Sequence, residues 1–167
     1  MTTPVERVDI VDDDDVVVDT VPRGVMRRDR LRHRATFVVV RSSNGRLLIH
    51  RRSSAKDLWP GRWDLAVGGV VTAGEDYDSA AQRELAEEIG VTGARLRPLG
   101  AGRYDDADVH LHARLYEVVC DGPFTFADGE VVEARFVSLA ELRQRLAVDP
   151  FVPDSVDLVV PLLSDRA

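Results

Sequence analysis

Between Gly69 and Val91 the chain reads GVVTAGEDYDSAAQRELAEEIGV, which places Glu75, Glu84, Glu87 and Glu88 around a single arginine, Arg83. Asp76 has the side chain to accept a free backbone N–H at a helix start. Gly90 stands where a left-handed residue ends one. Between them the spacing predicts a helix of about three turns. At about 100° per residue, Glu84, Glu87 and Glu88 share one stripe, beside an apolar stripe of Ala81, Leu85 and Ile89. Like charges at helical neighbour spacing repel, and the repulsion grows as the effective dielectric falls. Three carboxylates gathered in a cleft therefore call for a cation. All-oxygen ligands suit a hard divalent ion, Mg²⁺ or Mn²⁺. Taken alone, Glu-x-x-Glu-Glu is more often a solvated acidic face.

The elements that would position this helix can be read on either side of it. Val8 to Val11 and Val16 to Val18, split by four aspartates, read as a hairpin with its acidic tip in water. Pro22 can open a short helix carrying Arg23, Arg27, Arg28 and Arg30, residues that most often serve solubility, with a grip on a diphosphate as the lesser reading. Arg34 to Arg41 and Arg46 to Arg52 are strands joined at an Asn44-Gly45 turn. Arg51 and Arg52 point to opposite faces, so at most one enters a site, where a guanidinium suits phosphate. Trp59 and Trp63 flank Pro60-Gly61 in a loop; either pins the loop to the core or stacks on a base. Leu65 to Val67 read as a short buried strand leading to Gly68-Gly69. Arg95 to Arg103, Val109 to Cys120 and Val131 to Val137 follow as strands. His110 and His112 share one strand face, taken as a partly exposed polar face. Ala140 to Leu146 and Asp154 to Leu163 have helical spacing, with Asp154 as a cap.

These elements predict an α/β (α+β) sandwich: a mixed β-sheet between helices, with an N-terminal β-hairpin arm. The expected division is an arm with its short helix over residues 1–30, packed on one domain over 31–167. The net charge of −7 argues against a polymeric nucleic-acid surface. Cys120 is the only cysteine, which excludes an internal disulfide and a Cys-rich zinc site. No apolar run is long enough for a membrane helix and residues 1–20 lack a signal pattern, so the expected location is cytoplasmic, with a homodimer allowed.

The whole stretch, Gly69, five residues, Glu75, seven residues, then Arg83-Glu84-apolar-x-Glu87-Glu88-x-Gly90-apolar, resembles the Nudix box without a mismatch. The resemblance implies a hydrolase of phosphorus acid anhydrides, cleaving a diphosphate bond in a nucleoside di- or triphosphate or a nucleotide derivative. It implies Glu87 and Glu88 as principal metal ligands and Glu84 as ligand or general base. Arg83 would orient the glutamates, Glu75 would support them, and Gly68 would lend a backbone carbonyl to the metal. Glu133 or Glu130 would supply a further acid or base from outside the box. Arg51, Arg52 and Trp63 are the expected substrate contacts. Leu31 to Ala35, Arg51-Arg52-Ser53 with Lys56, and Trp59-Pro60-Gly61 with Trp63 resemble the isopentenyl-diphosphate isomerase-like branch. The positions of that branch's catalytic cysteine and histidine are here Gly68 and Val70, which move no proton, so isomerase activity is not expected. His33 matches a histidine that helps bind metal in the isomerases, or is a polar contact at a strand start. The remaining alternative is a regulatory module that binds a nucleotide without turnover.

Overall fold

In the computed structural model, which describes residues 2–163, seven strands form one mixed sheet and two more form a separate hairpin. The hairpin is β1 (Arg7–Val11) with β2 (Val17–Pro22), followed by α1 (Arg23–Asp29). The main sheet takes β3 (His33–Arg41), β4 (Leu47–Arg52), β5 (Trp63–Asp64), β6 (Val67–Val70), β7 (Arg97–Asp105), β8 (His110–Val119) and β9 (Val131–Val137). Its order is β5-β4-β3-β8-β7, with β6 on β3 and β9 on β4. Among the strands of the described residues, only β3 and β8 pair in parallel. The acidic helix is α2 (Tyr77–Ile89), and α3 (Leu139–Leu146) and α4 (Pro153–Val159) follow β9. Residues 164–167 of the predicted domain lie outside the described residues.

Strand β3 is buried almost throughout because both of its faces are covered. Val38 and Val40 pack with Ala81, Leu85 and Ile89 of α2. Phe37 and Val39 alternate with them and pack with Leu142 of α3 and Val159 of α4. The result is helix, sheet, helix, as the pattern predicts. β4 pairs with β3 at Arg41 and Leu47, while β6 takes the register from Ala35 to Val38. The sheet therefore splits at β3, and the split is the floor of the site.

Both ends of α2 form as read from the sequence. The Asp76 side chain accepts the Ser79 amide at 2.7 Å, and Gly90 closes the helix at φ 71°. Three expectations change. The strand expected at Leu65 to Val67 instead starts at Val67 and contains both glycines, because Gly68 and Gly69 pair with Phe37 and Thr36. Asp154 is not the cap of the last helix: Val152 takes that place, Pro153 opens the first turn, and Asp154 is buried one residue further in. The acidic hairpin tip is only partly in water. Asp15, at φ 62°, accepts from Arg34 Nε at 2.7 Å and from the Tyr77 hydroxyl at 2.9 Å. Asp13 pairs with Arg32 and Arg103, and the Asp12 carbonyl lies 2.9 Å from His112 Nε2. With Val8, Ile10 and Met26 buried against Val70, these bonds fasten the arm to the sheet.

Candidate active site

The site is built around Arg83, whose fork is filled by its neighbours. Nε and Nη2 donate to the two carboxylate oxygens of Glu75 at 2.9 and 3.0 Å, and Nη2 also reaches the Val70 carbonyl at 3.1 Å. Nη1 donates to Glu84 at 2.9 Å and Glu87 at 3.2 Å. Glu75 is itself held by the amide and hydroxyl of Thr72. Burial pushes the Glu75 carboxyl up, but Arg83 and Thr72 outweigh it and hold it below the usual carboxylate range. A bidentate guanidinium of this kind fixes direction as well as charge.

Glu84 and Glu88 are buried, whereas the Glu87 side chain is half exposed. Burial pushes the Glu84 carboxyl up against the pull of Arg83. Glu88 is held well above the carboxylate range, first by burial and then by the charge of Glu84. The glycine pair explains how these acids fit. A Cβ on Gly68 would stand 1.9 Å from the Thr36 carbonyl oxygen, so only glycine lets β6 approach β3 this closely. A Cβ on Gly69 would stand 2.8 Å from Glu84 Oε1, so the second glycine makes room for the carboxylate.

A cavity of about 310 Å³ opens beside this cluster, lined by Glu84, Glu87, Glu88 and Glu130 against Arg23, Lys56 and Arg83. Lys56 Nζ lies 2.6 Å from Glu130, which sits in the turn before β9. A second chamber continues from it past Gly68, Gly69, Lys56 and Arg23. It runs between β3 and the 53–59 loop, and Arg52, Asp64 and Asp154 line it. Arg52 donates to the Leu58 carbonyl at 3.1 Å and stands 3.8 Å from Asp64. His33 Nδ1 lies 3.0 Å from the Leu31 carbonyl, the polar contact at a strand start; burial drives the ring down to about 4, so it is neutral at pH 7.

Three expected site residues stand elsewhere. Arg51 and Glu133 are cross-strand partners on β4 and β9, 3.5 Å apart, and Glu133 also meets Arg135. Trp63 is buried between the guanidinium groups of Arg135 and Arg145, at 5.3 and 4.5 Å from its ring centre. Arg52 lines the second chamber, whereas Arg51, one residue earlier at an irregularity in the strand pairing, lines neither cavity. Trp59, not Trp63, lines the second chamber. Two further residues line the cavity beside the helix: Lys56, noted in the sequence only within the isomerase-like pattern, and Arg23, for which a diphosphate grip is the lesser reading. Lys56 lies in an irregular loop, and Arg23 comes from the arm, where Glu6 holds it at 3.2 Å.

Asp154 has a measurable consequence. Burial, with Asp64 adding to it, pushes its carboxyl up to about 7. A carboxyl raised on folding stabilises fully below its unfolded value near 3.8 and loses that contribution as the pH climbs through about 7. Asp154→Asn is expected to narrow the difference between the melting temperatures at pH 5 and pH 8, which thermal melts would check. An unchanged difference would mean that Asp154 is ordinarily ionised.

The donor set fits a hard divalent ion: its side-chain ligands are carboxylates alone, two of them buried and repelling, and a glycine clears space for one. Among the described residues no three carboxylates already converge on one point. Arg83 holds Glu84 and Glu87 instead, so ion binding must draw them together. A family model for the NUDIX domain matches residues 31–158. The chain belongs to the Nudix family. An uncharacterised Nudix hydrolase of Streptomyces coelicolor is 42% identical over 168 residues, 99% of this chain and 93% of the relative. The uncharacterised Nudix hydrolase YfcD of Escherichia coli K12 is 37% identical over 151 residues, 90% of this chain and 83% of the relative. The crystal structure of DR0079 from Deinococcus radiodurans superposes with a TM-score of 0.80 at 30% identity, covering 95% of this chain and all of that one. A MutT protein from Methanosarcina mazei, 22% identical with a TM-score of 0.66 over 78% of this chain and 92% of its own, shares the fold. Nudix membership places the chain among hydrolases of pyrophosphate bonds, which generally use a divalent metal and bind small nucleotide substrates. No helix among the described residues is long and apolar enough to cross a membrane.

Proposed function

We propose that this Nudix protein is a Mg²⁺- or Mn²⁺-dependent hydrolase that cleaves the diphosphate bond of a nucleoside di- or triphosphate or a nucleotide derivative in the cytoplasm. The observation that supports it best is the pairing of Arg83 and buried glutamates with cations across one cavity. Glu87, Glu88, Glu84 and the Gly68 carbonyl would hold the metal, which supplies charge neutralisation and a more acidic water. The chain's own groups do the rest. Arg83 keeps the carboxylates aimed, and Lys56 and Arg23 draw the phosphates against the helix. The attacking water gives its proton to a neighbouring carboxylate, and Glu84 is the candidate on the helix. As the new P–O bond forms, the bridging P–O bond breaks and its electron pair leaves with the bridging oxygen, giving two phosphate products. Glu130 lines the cavity where Glu133 does not, so Glu130 is the outside acid best placed to assist. The arm over residues 1–30 works as part of the same unit as 31–167.

The test is incubation with Mg²⁺ and a panel of nucleotides, sugar nucleotides, coenzyme A and isopentenyl diphosphate, with product detection by phosphorus NMR. Hydrolysis of at least one nucleotide is expected, and its loss in Glu87→Gln with an unchanged circular dichroism spectrum. No hydrolysis anywhere in the panel, or near-native rates in the variant, would remove the reading.

A further inference from the structure

The second chamber has an interior that the chemistry at the acidic helix leaves unused. Thr36 Oγ1 and Arg52 Nε are both buried, and neither has a hydrogen-bond partner in the structure. Both residues line this chamber. A buried polar atom without a partner bears its whole desolvation penalty, and native proteins keep few of them. Two in one cavity point to a ligand that completes them.

The remaining polar groups say what kind of ligand. His33 uses Nδ1 to donate to the Leu31 carbonyl, which leaves Nε2 as a lone-pair acceptor on the neutral ring. The Asp154 carboxyl accepts the Ser155 amide with one oxygen, and its residue lines the chamber too. Arg23, Arg27 and Lys56 also line the chamber, but each is already paired, with Glu6, Asp57 and Glu130. Among the groups still open, the imidazole nitrogen and the second carboxyl oxygen accept, the threonine hydroxyl does either, and only Arg52 Nε is restricted to donating. The ligand called for therefore carries donors. Size narrows it further. The chamber holds about 80 Å³, roughly half of the ~150 Å³ engineered cavity that takes a benzene ring in another protein. That space suits an aliphatic group of a few heavy atoms better than a planar base.

We propose that the second chamber receives the non-phosphate end of the substrate, and selects a compact aliphatic group bearing hydroxyl or amine donors. Thr36, His33 and Asp154 read those donors, and Arg52 offers its free N–H to an oxygen of the same group. The proposal rests on the hydrolase reading for what lies in the first chamber: the diphosphate sits before α2, and the shared wall at Gly68 and Gly69 lets its far end enter.

The test uses uridine diphosphate esters of glycerol, ethanolamine and n-propanol, with a uridine–adenosine diphosphate-linked dinucleotide as the bulky member. With Mg²⁺ and the full-length protein, kcat/KM for the glycerol and ethanolamine esters is expected to exceed that for the propyl ester and the dinucleotide at least about tenfold, one well-placed hydrogen bond by the usual conversion. The glycerol-to-propyl ratio should collapse in Thr36→Val, a near-isosteric change that removes only the hydroxyl. A parent enzyme that cleaves the propyl ester or the dinucleotide as well as the others overturns the proposal. So does a Thr36→Val protein that keeps its preference. Should no ester be cleaved, the hydrolase reading suffers on that account alone. Calorimetric dissociation constants for the same four compounds then decide the chamber, and equal affinities for the glycerol and propyl esters would overturn it.

Discussion

Glu88→Gln is expected to abolish hydrolysis and, in metal-free protein at neutral pH, to raise the melting temperature. The two effects have one origin. Glu88 is only 4% exposed, close to Glu84, and its carboxyl is held well above its usual range by burial first and by its neighbour second. A carboxyl raised in the folded state contributes stability that is complete below its unfolded value of about 4.5 and is lost as the pH rises through the folded one. Metal-free parent protein should therefore weaken as the pH is taken from about 5 through neutrality. Glutamine has nothing to ionise, so the variant should weaken less. It also keeps a polar head of the same size beside Glu130, which lines the same cavity. Adding Mg²⁺ should reverse the ranking. The ion binds the folded parent and stabilises it by about 2.7 kcal/mol at a hundred times its dissociation constant, while the variant gains less. Loss of turnover on the order of a thousandfold, about 4 kcal/mol of transition-state stabilisation, should accompany this. Melting curves with and without Mg²⁺ at pH 5 and 8 provide the check. A variant less stable than the parent in every condition would show that Glu88 is a structural acid rather than a ligand.

The adjacent glycines should respond to the same substitution in opposite ways. Gly68→Ala puts a methyl group 1.9 Å from the backbone oxygen of Thr36, where nothing flexible can yield. The strand must separate from its partner, so a loss of about 3 kcal/mol or more is expected, at the upper end for overpacking and a large share of a typical domain's stability. Gly69→Ala meets only the far end of the Glu84 side chain, at 2.8 Å. That carboxylate can swing away at small cost to the fold. Displacing it by about 1 Å should nevertheless reduce turnover about a hundredfold. Denaturant titrations and rates on the two variants separate the cases. Equal stability losses would mean that Glu84 is as rigidly fixed as the backbone.

The helix bearing the acids was legible because its signals are local: a capping aspartate, a terminal glycine and an apolar stripe all lie within fifteen residues of one another. The sandwich was legible for a related reason, since alternation within β3 already supplies two covered faces. What the sequence left open depends on contacts between distant segments. Asp154 reads as a helix cap, and its raised carboxyl follows from burial and from Asp64, which arrives from another part of the sheet. Trp63 and Glu133 look like site residues beside a catalytic motif, but strand parity turns them to the opposite side. Lys56 and Glu130 lie 74 positions apart, and no periodicity links them.

The bonds that fasten the hairpin have a practical consequence. Arg23, presented by the arm and steadied by Glu6, stands on the partition between the two chambers, yet both residues precede the segment that the NUDIX family model covers. An expression clone trimmed to the matched boundaries would leave the substrate side open to solvent and strip Asp15 from Arg34 and Tyr77. Boundaries drawn from likeness among relatives stop short of residues that line the cavity beside α2 in this chain.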